Sequence, residues 1–87
     1  MPIVVVYVTQ SCPYCTRARH LLDKKKVTYT LIDLDQQPEK RAEMERKSGR
    51  TSVPQIFIDN YHVGGFDDMA ALNVAGKLDP LLQASPP

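Results

Sequence analysis

Ile3-Val4-Val5-Val6-Tyr7-Val8, then Thr9-Gln10-Ser11, then Cys12-Pro13-Tyr14-Cys15: this opening stretch decides the fold. The first six residues are apolar and mostly β-branched, without the alternation of a strand that faces water on one side. Such a run suits a central strand covered on both faces, as in a parallel sheet. After Ser11 the apolar positions Tyr14, Cys15, Ala18, Leu21 and Leu22 recur at helical spacing. Pro13 fits the first turn of that helix, where its missing N–H would have no partner anyway. A buried strand therefore runs straight into a helix, and the two cysteines stand at the junction.

Outward from this unit, Val27 to Leu34 is again β-rich and ends in Asp35. Pro38 opens a second helix, with Glu39 near its positive end, Arg46 and Lys47 near its negative end, and Gly49 as its stop. Gln55-Ile56-Phe57-Ile58, the turn pair Asp59-Asn60 and Tyr61-His62-Val63 read as a hairpin. Gly64-Gly65 ends it, Asp67 or Asp68 can cap a further helix through about Ala75, and Gly76 stops that helix. Leu78 to Leu82 adds a short helical turn, and residues 84–87 read as a frayed tail after a single domain over residues 1–83. The order β-α-β-α-β-β-α predicts an α/β fold, a four-stranded mixed sheet flanked by helices.

Composition narrows the function. The 87 residues are 43% hydrophobic, enough for one small core, and 11 Lys+Arg against 10 Asp+Glu leave a net charge of +1. That balance argues against a charge-driven nucleic-acid or anionic-membrane binder. No apolar run approaches the roughly 20 residues needed to span a bilayer, and no cationic leader precedes Ile3, so the expectation is a soluble, cytoplasmic protein, monomeric by default. Ten of the eleven cations lie between Arg17 and Arg50, beside six acids. Most read as solvated helix faces, with Arg41 and Arg50 set apart as candidate ligand contacts.

Cys12 and Cys15 are the only cysteines. A disulfide across two residues closes too small a loop to staple a fold. A zinc site would need about four ligands, and His20 and His62 stand at no finger-like spacing; they read as an exposed helix residue and a strand residue. Redox chemistry remains. Cys12 lies where unpaired backbone N–H groups and the positive helix end favour a thiolate, so it is the expected nucleophile. Cys15, nearly one turn deeper on the same side, is placed to resolve a mixed disulfide. Val53-Pro54 directly precedes the third strand, where a proline often occupies a cis bond and would leave the Val53 backbone free to pair with a substrate.

Cys12-Pro13-Tyr14-Cys15, Thr51-Ser52-Val53-Pro54 and Gly64-Gly65-Phe66-Asp67-Asp68, in that order, resemble a dithiol glutaredoxin of the small bacterial kind over essentially the whole chain. The resemblance implies a thioredoxin fold, glutathione as reductant, and reduction of protein–glutathione mixed disulfides and some protein disulfides, with no metal. It implies Cys12 as nucleophile and Cys15 as resolving thiol, with Tyr14 as one wall of a glutathione groove. Val53, before Pro54 and beside the polar Ser52, would pair with the cysteinyl backbone of glutathione. Gly65, Asp67 and Asp68 would hold its γ-glutamyl end, where helix N–H groups can take the carboxylate and Asp68 the ammonium. Arg41 is the candidate cation for the glycyl carboxylate.

Two positions depart from that pattern. Many relatives carry lysine where this chain has Thr9, and some carry a further cysteine where it has Phe66. Two rival readings share parts of the motif set: a thioredoxin-like protein reduced by a flavoprotein, and a carrier of a glutathione-ligated iron–sulfur cluster. The Pro-Tyr centre of the motif, the absence of Trp and the Gly-Gly-Phe-Asp-Asp segment favour the glutathione-dependent enzyme over both.

Overall fold

The computed structural model describes residues 2–83. It contains β1 (Val4–Val8), α1 (Pro13–Lys24), β2 (Thr30–Asp33), α2 (Lys40–Ser48), β3 (Gln55–Ile58), β4 (Tyr61–Gly64), α3 (Phe66–Val74) and α4 (Leu78–Gln83). The sheet order is β2-β1-β3-β4, with β1 parallel to β2 and antiparallel to β3, and with β3 antiparallel to β4. Val6 stands at its centre, level with Leu31 on one side and Ile56 on the other.

The unbroken apolar run of β1 reflects two cores. Val4, Val6 and Val8 pack on one face with Cys15, Ala18 and Leu22 of α1, Met69 of α3, and Leu78 and Leu82 of α4. Successive side chains of a strand alternate in direction, so Tyr7 and the half-buried Val5 face the opposite side, toward Leu34, Met44 of α2, and Phe57. The Tyr7 hydroxyl donates to Glu43 Oε2 at 2.6 Å and so ties α2 to the sheet. Lys25 pairs with Asp79 at 2.8 Å and ties α1 to α4.

Element ends differ from the sequence reading for local reasons. Ile3 is 67% exposed and lies outside β1, although its N–H and carbonyl both bond to Asp59. Strand β2 shrinks from the expected 27–34 to Thr30–Asp33, because only those residues stand in register with Val5–Val8; Val27 and Tyr29 still pack on the core. Before α2, the Lys40 N–H bonds to Gln37 O and the Arg41 N–H to Pro38 O, a tight three-residue turn that delays the helix beyond Pro38. Asp59 and Asn60 have φ values of 50° and 68°, the left-handed pair of a two-residue hairpin turn. The N-cap of α3 is Gly65, earlier than Asp67 or Asp68. The Asp68 carboxylate reaches back to accept the Gly65 N–H at 2.9 Å, and that bond fixes the helix start. The expected tail, residues 84–87, lies outside the described residues.

Candidate active site

Cys12 is the N-cap of α1, in extended conformation, and Pro13 occupies the first helical position. The Cys15 N–H donates to the Cys12 sulfur at 3.1 Å, and that sulfur lies 3.7 Å from the Val53 carbonyl oxygen. Cys12 is half-buried, whereas Cys15 is 2% exposed within the α1 core. Burial, reinforced by the hydrogen bond with Cys12, pushes the Cys15 thiol up to about 12. One cysteine can thus meet a substrate while the other waits behind it, protonated. Both are free thiols.

Beside Cys12 a cleft of about 210 Å³ runs between α1, the loop before β3 and the start of α3. Tyr14 and Phe66 form an aromatic wall, ring centroids 6.4 Å apart, and the Arg17 guanidinium lies 5.2 Å from the Tyr14 ring. Ser52, Val53 and Pro54 line a second side, and the Val53–Pro54 bond is cis, as the sequence suggests. Gly65, Asp67 and Asp68 close the far end. Gly64 has a φ of +116°, and a Cβ there would collide with the Asp68 carboxylate, so both backbone and space call for glycine.

The two set-apart arginines separate. Arg50 lines the cleft, its guanidinium 2.8 Å from Asp68 Oδ2. That contact, together with the Gly65 N–H, holds the Asp68 carboxyl below its usual value. Arg41 stands outside the lining residues and donates to Thr51 O at 3.0 Å, with Glu45 3.7 Å away. Thr9 also stands apart, beside Cys15 and Arg19 in a small cavity on the other side of α1.

Gln55 was not legible as a site residue. Its side chain is fully buried and donates to Ser52 O at 3.1 Å and to Ser52 Oγ at 3.3 Å. His62 Nε2 lies 2.7 Å from Gln55 Oε1, and the imidazole stacks on Phe57 with centroids 4.9 Å apart. Burial, with Arg50 nearby, lowers the His62 pKa and favours the neutral ring. The available signal was a glutamine opening an otherwise apolar strand, directly after Pro54.

The glutaredoxin family model matches residues 4–63, from β1 into β4 and across both cysteines. This chain belongs to the glutaredoxin family. A glutaredoxin of Pseudomonas aeruginosa is 57% identical over 84 residues, covering 97% of this chain and all of that one. Glutaredoxin 3 of Escherichia coli K12 is 51% identical over 83 residues, covering 95% of this chain and all of that one. Among solved structures, a buckwheat glutaredoxin–glutathione complex superposes with a TM-score of 0.86 at 33% identity, covering 93% of this chain and 76% of that chain. The thioredoxin fold and the glutathione-dependent thiol-disulfide oxidoreductase activity expected from the sequence are therefore those of this glutaredoxin, with Cys12 and Cys15 as its redox pair. Among the described residues no helix is long and apolar enough to cross a membrane, and no group of three or more His, Cys, Asp or Glu side chains is arranged to hold a metal ion.

Proposed function

We propose that this glutaredoxin reduces protein–glutathione mixed disulfides and protein disulfides as a cytoplasmic monomer, with glutathione as its reductant and without a resident metal. The carrying observation is the Cys12 sulfur, 3.1 Å from the Cys15 nitrogen and 3.7 Å from the carbonyl oxygen of Val53, which itself lines the cleft. In the monothiol route the Cys12 thiolate attacks the glutathione sulfur of a mixed disulfide. The client leaves as a thiolate, and a Cys12–glutathione disulfide forms. A second glutathione thiolate attacks that adduct, oxidised glutathione departs, and Cys12 is restored. In the dithiol route Cys12 bonds to one sulfur of a client disulfide. Cys15 loses its proton and attacks the Cys12 sulfur, which releases the dithiol client and leaves a Cys12–Cys15 disulfide for two glutathiones to reduce.

The cleft supplies a place for the tripeptide. Tyr14 and Phe66 give an apolar wall, Ser52, Val53 and Pro54 give backbone edges, and Gly65, Asp67 and Asp68 give the polar γ-glutamyl end, with Arg41 as candidate for the glycyl carboxylate. The buckwheat complex shows that a glutaredoxin of this fold binds glutathione. The deciding experiment is turnover of hydroxyethyl disulfide with glutathione, coupled to glutathione reductase. Activity that required a flavoprotein thioredoxin reductase instead would refute the reading. An iron–sulfur absorbance band in freshly purified protein would refute its metal-free part.

A further inference from the structure

We propose that Gln55 is a positioning residue for the reaction: its buried amide turns the Ser52 carbonyl inward and thereby aims the Val53 N–H at the substrate. The inference rests on reading the cleft as the glutathione groove. Gln55 opens β3 with no exposed surface, and among the described residues it is the one buried polar side chain. Ile56, Phe57 and Ile58, which follow it, are all buried and apolar. A buried amide is costly unless every polar atom finds a partner.

Each does, and the roles are forced. Ser52 O can only accept, so the atom facing it is Nε2, which also reaches Ser52 Oγ. Oε1 is left for His62, whose Nε2 must then carry the hydrogen. Neutral and protonated imidazole can both supply that donor, so the link does not depend on the charge of His62.

The consequence for the site follows from peptide planarity. The carbonyl of one residue and the N–H of the next lie in one plane and, across a trans bond, point in opposite directions. The cis bond in this loop is the next one, Val53–Pro54, so Ser52–Val53 obeys that rule. With the Ser52 carbonyl held against Gln55, the Val53 N–H points away from Gln55, and Val53 is one of the residues that line the cleft. No partner for that N–H occurs among the hydrogen bonds of the described residues. The carbonyl of the same residue stands 3.7 Å from the Cys12 sulfur, so a misdirected Val53 backbone would displace the substrate relative to the attacking atom.

Two variants test this. Gln55→Leu removes all polar atoms at similar size, and Gln55→Glu keeps an acceptor for His62 but cannot donate to Ser52. In the glutathione-coupled assay both should raise KM for a glutathionylated peptide about tenfold, equivalent to about 1.4 kcal/mol, with kcat within about twofold. Single-turnover reduction of 5,5′-dithiobis(2-nitrobenzoate) by the pre-reduced variants, a substrate without a peptide backbone, should follow kcat rather than KM. An unchanged KM, or a parallel fall in kcat and in the dithiobis(nitrobenzoate) rate, would overturn the proposal, the second because it marks general damage to the Cys12 site. Amide hydrogen exchange on the unsubstituted protein applies even where a variant fails to fold. Val53 should exchange freely without ligand and become protected by S-methylglutathione, and protection already present in the free protein would overturn the proposal. If S-methylglutathione binds nowhere in the cleft, the reading of the groove fails instead.

Discussion

The backbone N–H of Cys15 points at the sulfur of Cys12 from 3.1 Å, so the first turn of α1 holds the outer cysteine by the backbone of the inner one. A donor aimed at that sulfur serves it whenever it carries negative charge, on attack and again on departure. The Cys15 side chain is buried in the core, with its thiol against Cys12, and is held back for the second step.

Division of labour follows. Because glutathione can itself resolve the Cys12 adduct, Cys15→Ser should retain deglutathionylation of a peptide substrate and lose most reduction of a protein disulfide. Cys12→Ser should lose both. Initial rates on the two substrates, measured side by side, check the assignment, and deglutathionylation surviving in Cys12→Ser would reverse it.

Alkylation should also distinguish the pair. With its thiol pushed up to about 12 by burial, Cys15 stays protonated at pH 8, and only the thiolate reacts. Iodoacetamide at that pH should add one group per native chain, at Cys12 by peptide mapping, and a second only after unfolding. Equal labelling of both residues in the native protein would contradict the burial of Cys15.

How far the sequence carried this site depends on what each residue does. Cys12, Pro13 and Cys15 were legible because residue type and helical spacing act locally, and Val53-Pro54 because proline marks its own backbone. Asp68 was legible as a residue of the cleft, but the helix start was not: a carboxylate at the third helical position reaching back to Gly65 competes with the simpler reading of aspartate as the cap. Gln55 and His62 escaped because their meaning is wholly tertiary. They lie seven residues apart on neighbouring strands and join only through hairpin register and burial. The two arginines show the same limit, since charge is visible in a sequence and the direction of a long side chain is not.

Asp68 should leave a pH signature. Its folded value is depressed by Arg50 and by the Gly65 N–H, so the stabilisation it gives is fully present above the ordinary value near 3.8 and is lost as pH falls through the lower, folded value. Asp68→Asn keeps an acceptor for Gly65 and removes the charge. Because both partners are about half exposed, the variant should lose no more than about 1 kcal/mol at neutral pH. Urea midpoints of the two proteins should converge as pH falls below the ordinary carboxyl range, and a gap that widened toward acid would have the wrong sign.

Thr9→Lys introduces the cation that the family resemblance leads one to expect at this position. Thr9 stands outside the residues that line the cleft, so any pair the new lysine makes with a glutathione carboxylate is solvent-exposed and worth about 0–1 kcal/mol, and KM for a glutathionylated peptide should fall by no more than roughly fivefold while kcat holds. The gain should fade in high salt. A gain above about tenfold that persists at roughly 1 M salt would show that the added lysine is buried.

Arg41 and Arg50 can be told apart by the same measurement. Arg50 stands on the cleft but is already engaged by Asp68 at 2.8 Å, whereas Arg41 is tethered to the Thr51 carbonyl at the base of the Ser52-Val53-Pro54 edge. Arg50→Ala removes a cation and at the same time frees the Asp68 carboxylate for the ligand ammonium, two effects of opposite sign. Its KM for a glutathionylated peptide should therefore move less than about twofold. Arg41→Ala has no such offset if Arg41 meets the glycyl carboxylate, and its KM should rise by up to about fivefold, the full worth of an exposed pair. That rise should vanish for an ester of the glycyl carboxyl, which has no charge to pair. It should shrink in high salt, where exposed charges are screened. The reverse pattern, a rise in Arg50→Ala that the ester abolishes and none in Arg41→Ala, would move the glycyl contact to Arg50.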